Sequence, residues 1–286
     1  VNYPDVLMTR GLYQHRQEPP FVPGSECSGV VTAVGEGVTA VQPGDRVLAV
    51  AGGSYATEVV FRTPPVQVHR IPDEMPFDEA AAFDITYGTA YHGLVRRGAL
   101  RAGESVLVLG AAGGCGSAAV QIAKAADTVI DHHGVAELAP AVKERTDGRG
   151  VDVVFDTVGS PDARDFLRCL AWNGRYLVIG FASGDIPVVK VNQTILKSIS
   201  IVGVAYGVSA MLDPAANAED FAQLFDWYRA GLVRPHLGHR FPLAQAAEAM
   251  RVVHERGALG KVVIEISGEG EISGEGEISG EGEMRT

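Results

Sequence analysis

Ser105-Val106-Leu107-Val108-Leu109-Gly110-Ala111-Ala112-Gly113-Gly114-Cys115-Gly116-Ser117-Ala118-Ala119 is the stretch that decides the fold. An apolar strand at 105–109 runs into a cluster of glycines that opens a small-residue helix over 117–126. Within it, Gly114-x-Gly116-x-x-Ala119 meets the dinucleotide-binding pattern: one glycine for the tight turn, one for backbone approach to a pyrophosphate, and a small third residue for close helix–strand packing. The helix N-terminus then faces the negative charge. Alone, the pattern is weak and reads equally as a tight strand–helix turn. Here the strand before it and the helix after it are both present.

Working outward, apolar runs at 151–155, 175–179 and 200–204, with a helical stretch at 162–170, predict a parallel sheet covered on both faces. A helix begins at Pro76-Phe77-Asp78-Glu79, with acids in its first turn, and continues in apolar residues to Leu94. Residues 1–75 are turn-rich, with short strands predicted at 29–35, 46–50 and 55–61, the pattern of a small antiparallel barrel. Helices at 218–229 and 243–255 precede a closing strand at 261–266. The hexapeptide Glu-Ile-Ser-Gly-Glu-Gly then repeats at 265–270, 271–276 and 277–282. One isoleucine per six residues buries too little surface to offset ordering entropy, so disorder is expected there.

Composition closes off several functions. The 286 residues are 46% hydrophobic and 21% charged, with a net charge of −11, the mix of a soluble globular enzyme and a poor match for nucleic acid or an anionic membrane. The last 20 residues hold six glutamates and one arginine, so much of that charge belongs to the tail. The uncharged run at 105–123 contains glycines and Gln121, which excludes a membrane span. Three cysteines (Cys27, Cys115, Cys169), odd in number and widely spaced, offer no disulfide framework and fit a reducing, cytoplasmic setting. Val1-Asn2-Tyr3-Pro4-Asp5 has neither the basic flank nor the apolar run of a signal peptide, and reads as the middle of an element.

The chain resembles the medium-chain dehydrogenase/reductase superfamily, and within it the zinc-free NADPH:quinone oxidoreductases of the zeta-crystallin type. The resemblance lies in Val1-Asn2-Tyr3-Pro4-Asp5-Val6-Leu7, Gly11-Leu12-Tyr13, Pro23-Gly24-Ser25-Glu26-Cys27-Ser28-Gly29-Val30-Val31, Val34-Gly35-Glu36-Gly37-Val38 with Pro43-Gly44-Asp45-Arg46-Val47, Thr86-Tyr87-Gly88-Thr89-Ala90-Tyr91, the glycine loop, and residues 151–159. It covers about residues 1–266 and implies an α/β protein: a GroES-like β-barrel catalytic domain joined to a Rossmann doubly wound parallel sheet. The implied division is 1–84 for the barrel, without its N-terminal part, 85–207 for the dinucleotide-binding domain, 208–266 for the return to the catalytic domain, and 267–286 for the tail. Also implied are NADPH, hydride transfer to a quinone or related activated alkene, and a homodimer.

The resemblance puts Gly110, Ala112, Gly113, Gly114, Cys115 and Gly116 around the cofactor pyrophosphate. Thr89, Thr157, Gly159, Gly180 and Phe181 fall near its nicotinamide and ribose. Zinc-dependent relatives carry Gly-His-Glu where this chain has Gly24-Ser25-Glu26. Serine is a poor zinc ligand, the four cysteines of a structural zinc lobe are absent, and His132-His133 and His236-x-x-His239 read as surface histidines, so no metal is expected. Without one, hydrogen-bond donors must stabilise the developing oxyanion. Tyr13 is the preferred donor, Asn2 a second through its amide, and Asp5 an orienting group; the structural alternatives are a barrel-capping Tyr13 and an Asp5 bonded to local backbone.

A Rossmann half normally follows its first helix with a second strand ending in the residues that choose between NADPH and NADH. Here the helix ending at Lys124-Ala125-Ala126 runs directly into Asp127-Thr128-Val129-Ile130-Asp131, and roughly two dozen residues of a strand–helix unit are missing. Either the sequence is a fragment with a gap, the preferred reading, or residues 128–130 move into the vacated slot beside 105–109. In the second case Asp131 sits near the adenosine ribose and favours NADH; in the unshifted arrangement His132 stands near the phosphate. Two further functions compete with quinone or enone reduction: enoyl-thioester reduction, with Arg10, Arg16 and Arg62 as a basic entrance, and a non-catalytic cofactor-binding or interaction protein.

Overall fold

Alternate side chains of the 105–109 strand enter two different cores, which is what an unbroken apolar run provides. The computed structural model describes residues 1–14, 16–63, 67–124, 128–130 (backbone only), 138–159 and 164–266. In chain order these form α1 Tyr3–Thr9, the strands β1 Cys27–Val30, β2 Arg46–Ala49 and β3 Val68–Arg70, and a helical run at 77–97. That run alternates α2 Phe77–Ala80 and α3 Thr89–Tyr91 with π-helical turns at Asp84–Gly88 and His92–Arg97. Then come β4 Ser105–Leu109, α4 Gly114–Lys124, β5 Thr128–Ile130, α5 Leu138–Arg145, β6 Val151–Asp156, α6 Arg164–Cys169, β7 Leu170–Val178 and β8 Ser200–Gly203. α7 Tyr206–Leu212, α8 Pro214–Arg229, β9 Leu237–Pro242, α9 Ala246–His254 and β10 Lys261–Glu265 complete the described chain.

The parallel sheet has the order β5-β4-β6-β7-β8. Val106 and Val108 join Val153, Phe155 and Leu177 in one core, closed by Phe83, Tyr87 and the apolar face of α8 (Phe221, Leu224, Phe225). Leu107 and Leu109 join Val154, Leu170, Tyr176 and Val142 in the other. Phe83 stacks on Tyr87 at 4.4 Å and on Phe225 at 5.8 Å, so the helical run is pinned between sheet and α8.

Thr128–Ile130 lies parallel beside Ser105–Leu107, the slot that the shifted arrangement assigns to it. Asp131 and His132, which follow it, lie outside the described residues, as does the repeat tail.

The β-rich region departs from expectation in detail. β1, β2 and β3 form an antiparallel sheet, but β1 begins at Cys27 and ends at Val30. Val31 still pairs across, its N–H to Asp45 O at 2.9 Å and its carbonyl to the Gly44 N–H at 2.8 Å, and residues 32–35 lie beyond the ladder. Residues 55–61 are not a strand. Tyr55 turns inward to Asp5 while Val60 is 98% exposed, and the third strand is Val68–Arg70, which pairs with β2.

The last described segment closes on the first. β10 runs parallel to β9, the Gly260 N–H bonds Ala112 O at 2.7 Å, and Gly113 bridges Gly260. The Val1 amino group donates to Val262 O at 2.8 Å.

Candidate functional site: a glycine loop and a buried charged cluster

The glycine loop follows from space. Gly110 has φ +80°, and a Cβ there would stand 2.5 Å from Thr157 Oγ1. A Cβ on Gly116 would meet Gly110 O at 2.1 Å, which no side chain tolerates. Gly113 is under no such constraint, its nearest neighbour lying at 3.5 Å, and the Ala112 carbonyl is held by Gly260. The loop therefore presents bare backbone at the carboxyl end of β4 and the N-terminus of α4, the place where open α/β sheets bind anionic cofactors.

Thr157, Gly159, Gly180 and Phe181 gather beside it at the carboxyl ends of β6 and β7. Thr157 Oγ1 donates to Leu109 O at 2.9 Å. Gly159 has φ +64°, and a Cβ on it would come within 3.0 Å of Phe181 Cδ1 and 2.9 Å of Asp185 O. Asp156 sets that turn: its Oδ1 accepts the Val158 and Gly159 N–H groups at 2.8 and 3.0 Å, and its Oδ2 accepts the Tyr176 hydroxyl at 2.5 Å. Thr89 is half-buried on α3, which packs on α4. Burial pushes the Cys115 thiol up to about 12, against a smaller opposing pull from Lys261, which disfavours the thiolate.

On the barrel side Asn2 and Asp5 are buried, 7% and 1% exposed, among partners that the sequence did not single out. Lys261 Nζ donates to Asn2 Oδ1 at 2.6 Å and to Glu26 Oε1 at 2.5 Å. Asn2 Nδ2 donates to the same Glu26 Oε1 at 2.9 Å, while Glu26 Oε2 accepts the Ile85 N–H at 2.9 Å. Asp5 collects the Asn2 N–H at 2.8 Å, the Tyr55 hydroxyl at 3.0 Å and the Ser25 hydroxyl. Burial alone would raise the Glu26 carboxyl. The Lys261 charge, the Val1 amino group and hydrogen bonds from Lys261 and Ile85 outweigh that and hold it below the usual carboxylate range. Tyr13 stands half-buried on the segment after α1.

The two sides touch. A Cβ on Gly114 would stand 2.7 Å from Lys261 Cδ and 3.1 Å from Thr86 Cγ2, so this glycine of the pattern makes way for the lysine stem. Nearby, Asp84 is 1% exposed. Burial raises its carboxyl to about 7, against the Tyr206 hydroxyl, which donates to Oδ1 at 2.7 Å. Among the described residues no group of three or more His, Cys, Asp and Glu is placed to hold a metal ion, and Ser25 is committed to Asp5. The signal for Lys261 was a cation opening an apolar strand, Lys261-Val262-Val263-Ile264. Nothing local identified its partners.

Comparison with known proteins bears on this arrangement. Residues 1–73 match the alcohol dehydrogenase GroES-like domain and residues 125–264 the zinc-binding dehydrogenase family. The quinone oxidoreductase-like protein 2 homolog of Nematostella vectensis is 36% identical over 288 residues, spanning 92% of this chain and 78% of that protein. A probable oxidoreductase from Mycobacterium abscessus superposes with a TM-score of 0.79 at 37% identity, over 92% of this chain and 86% of that one. Mycobacterial Rv1454c complexed with NADPH superposes with a TM-score of 0.81 at 30% identity, over 92% and 88%. The chain belongs to the quinone oxidoreductase family of medium-chain dehydrogenase/reductases.

Proposed function

We propose that the chain is a zinc-independent oxidoreductase that uses NADPH, with NADH as the alternative, to reduce a quinone or another activated alkene or carbonyl. The single observation that carries this is the backbone cradle at Gly110, Gly114 and Gly116, closed to any Cβ and abutting the buried Asn2–Glu26–Lys261 cluster. The loop 110–116 and the N-terminus of α4 would hold the pyrophosphate, with Thr89, Thr157, Gly159, Gly180 and Phe181 around the nicotinamide and ribose. When bound, the cofactor supplies the hydride.

The chain's own residues then bind and polarise the acceptor. Tyr13 donates to the acceptor oxygen, and Asn2 presents the amide hydrogen that Glu26 does not take. Asp5 orients the first turn of α1, in keeping with its bonds to Asn2, Ser25 and Tyr55. β5 pairs with β4, in keeping with the shifted arrangement, in which Asp131 would favour NADH; His132 belongs to the unshifted alternative, and both residues lie outside the described ones. The proposed division is 1–84, 85–207, 208–266 and 267–286; the separate sheets β1–β3 and β4–β8 support the first two parts.

A homodimer belongs to the same proposal. β8 is the sheet edge, and Ile186, Val188, Val191, Ile195 and Leu196 beside it are more than 70% exposed. Sedimentation at micromolar concentration tests it; a monomer there overturns it. A cytoplasmic setting belongs to the proposal on the strength of the three free cysteines; among the described residues no helix is long and apolar enough to cross a membrane. The activity is tested by NADPH and NADH oxidation with 1,4-naphthoquinone against crotonyl-CoA. Turnover with the quinone is expected, turnover with the thioester alone identifies an enoyl reductase, and none with any pair and no cofactor fluorescence change leaves a non-catalytic protein.

A further inference from the structure

An asparagine amide presents either its carbonyl or its NH2 to a cleft, and the two look alike in shape. In this fold the choice is made by charge. Lys261 Nζ holds Asn2 Oδ1 at 2.6 Å, and Glu26 Oε1 takes one hydrogen from Asn2 Nδ2 at 2.9 Å. The ammonium also bonds Glu26 directly at 2.5 Å, so both ions are paired, and all three side chains are at most 8% exposed. A reversed amide would point its NH2 at the ammonium and its carbonyl at the carboxylate, two repulsive contacts in a buried site. The cluster is anchored on three sides: Glu26 Oε2 on the Ile85 N–H, the Lys261 stem against Gly114, and the Gly260 N–H on Ala112 O.

We propose that Lys261 is a positioning residue for the reductase reaction, fixing the amide of Asn2 so that its second N–H, and not its carbonyl, faces the acceptor. This rests on the reductase reading above. Lys261 touches neither acceptor nor transferred hydride in this role; it acts through Asn2. Gly114 is part of the same device, because any side chain there would displace the lysine stem.

The test uses the full chain in four forms: wild type, Lys261→Met with Glu26→Gln, Asn2→Ala, and the triple variant. The paired substitution removes both members of the ion pair, and Lys261→Gln with Glu26→Gln serves as a second variant should it fail to fold. With 1,4-naphthoquinone the Lys261 variant is expected to lose at least tenfold in kcat while its NADPH Kd, from fluorescence titration, stays within threefold. Asn2→Ala is expected to lose a similar factor, and the triple variant no more than either. An unchanged kcat, losses that multiply in the triple variant, or a Kd that weakens as much as kcat falls overturns the proposal. If the wild type binds NADPH but reduces no acceptor, the reductase reading has failed. The positioning is then read separately from the Asn2 side-chain amide in an Asn-selective 15N spectrum, assigned by its loss in Asn2→Ala. Its signal must shift and its hydrogens exchange at least tenfold faster without Lys261; a signal that stays put overturns the proposal.

Discussion

At the carboxyl end of β4 the site is made of backbone: Gly110 and Gly116 sit where no Cβ fits, and the turn is written within seven consecutive residues. On the barrel side it is made of side chains, with Asn2, Glu26, Lys261 and the Ile85 N–H drawn from four separated segments. The first is governed by steric exclusion, indifferent to pH and salt. The second is governed by charge balance in a dry environment, where every member depends on the others. A shape-built region fails abruptly when anything is added, whereas a charge-built region fails when anything is removed.

Adding a methyl to the loop is the harshest way to break that contrast. Gly116→Ala is expected to cost about 4 kcal/mol or more and to abolish NADPH binding, because the clash is with backbone. Gly113→Ala, with nothing nearer than 3.5 Å, should stay within about 1 kcal/mol. Thermal melts and cofactor fluorescence check both; equal effects at the two positions would show that space does not rule the loop. Removing a charge is next: Glu26→Ala strands the Lys261 ammonium and should cost about 3 kcal/mol, read by urea unfolding.

The third prediction separates the regions by pH. The Asp84 carboxyl is raised to about 7 in the fold from a value of 3.8, so between these values the folded state binds the extra proton. Stability from this group is therefore full below about pH 4 and falls as pH rises to 7, by at most about 1.4 kcal/mol per unit. Asp84→Asn should remove that decline, while NADPH affinity over the same range should not follow it. A wild-type melt that is flat from pH 4 to 7 counts against a neutral Asp84. The smallest effect is expected from Tyr13→Phe, which should lower kcat about tenfold, or 1.4 kcal/mol in the barrier, without weakening NADPH; unchanged turnover removes Tyr13 from the mechanism.

The same contrast explains what could be read in advance. The buried sheet and the loop were legible because their signals are local: an apolar run whose alternate residues feed two cores, then glycines, then small residues. Asn2 and Asp5 were singled out through family resemblance, yet their partners were not, since Glu26 stood in a triplet weighed only for zinc and Lys261 is distant in sequence. The third barrel strand lies at Val68–Arg70 and not at 55–61, because the β-branched and aromatic residues at 55–61 mimic a strand while pairing with β2 is decided by which backbone reaches it. β5 was ambiguous because three residues fit either slot equally well until β4 is seen to pair with them.

The bond from Lys261 to Asn2 joins residues 259 apart, and the Gly260 contact with Ala112 arrives with it. Closing so long a loop is entropically slow and comes after local structure has formed. On a chain made from its N-terminus, the sheet and the bare glycine loop can assemble first, whereas the charged cluster waits for β10. The fold thus completes its glycine loop before its charged cluster, and the contacts of Gly260 and Lys261 on that loop come last.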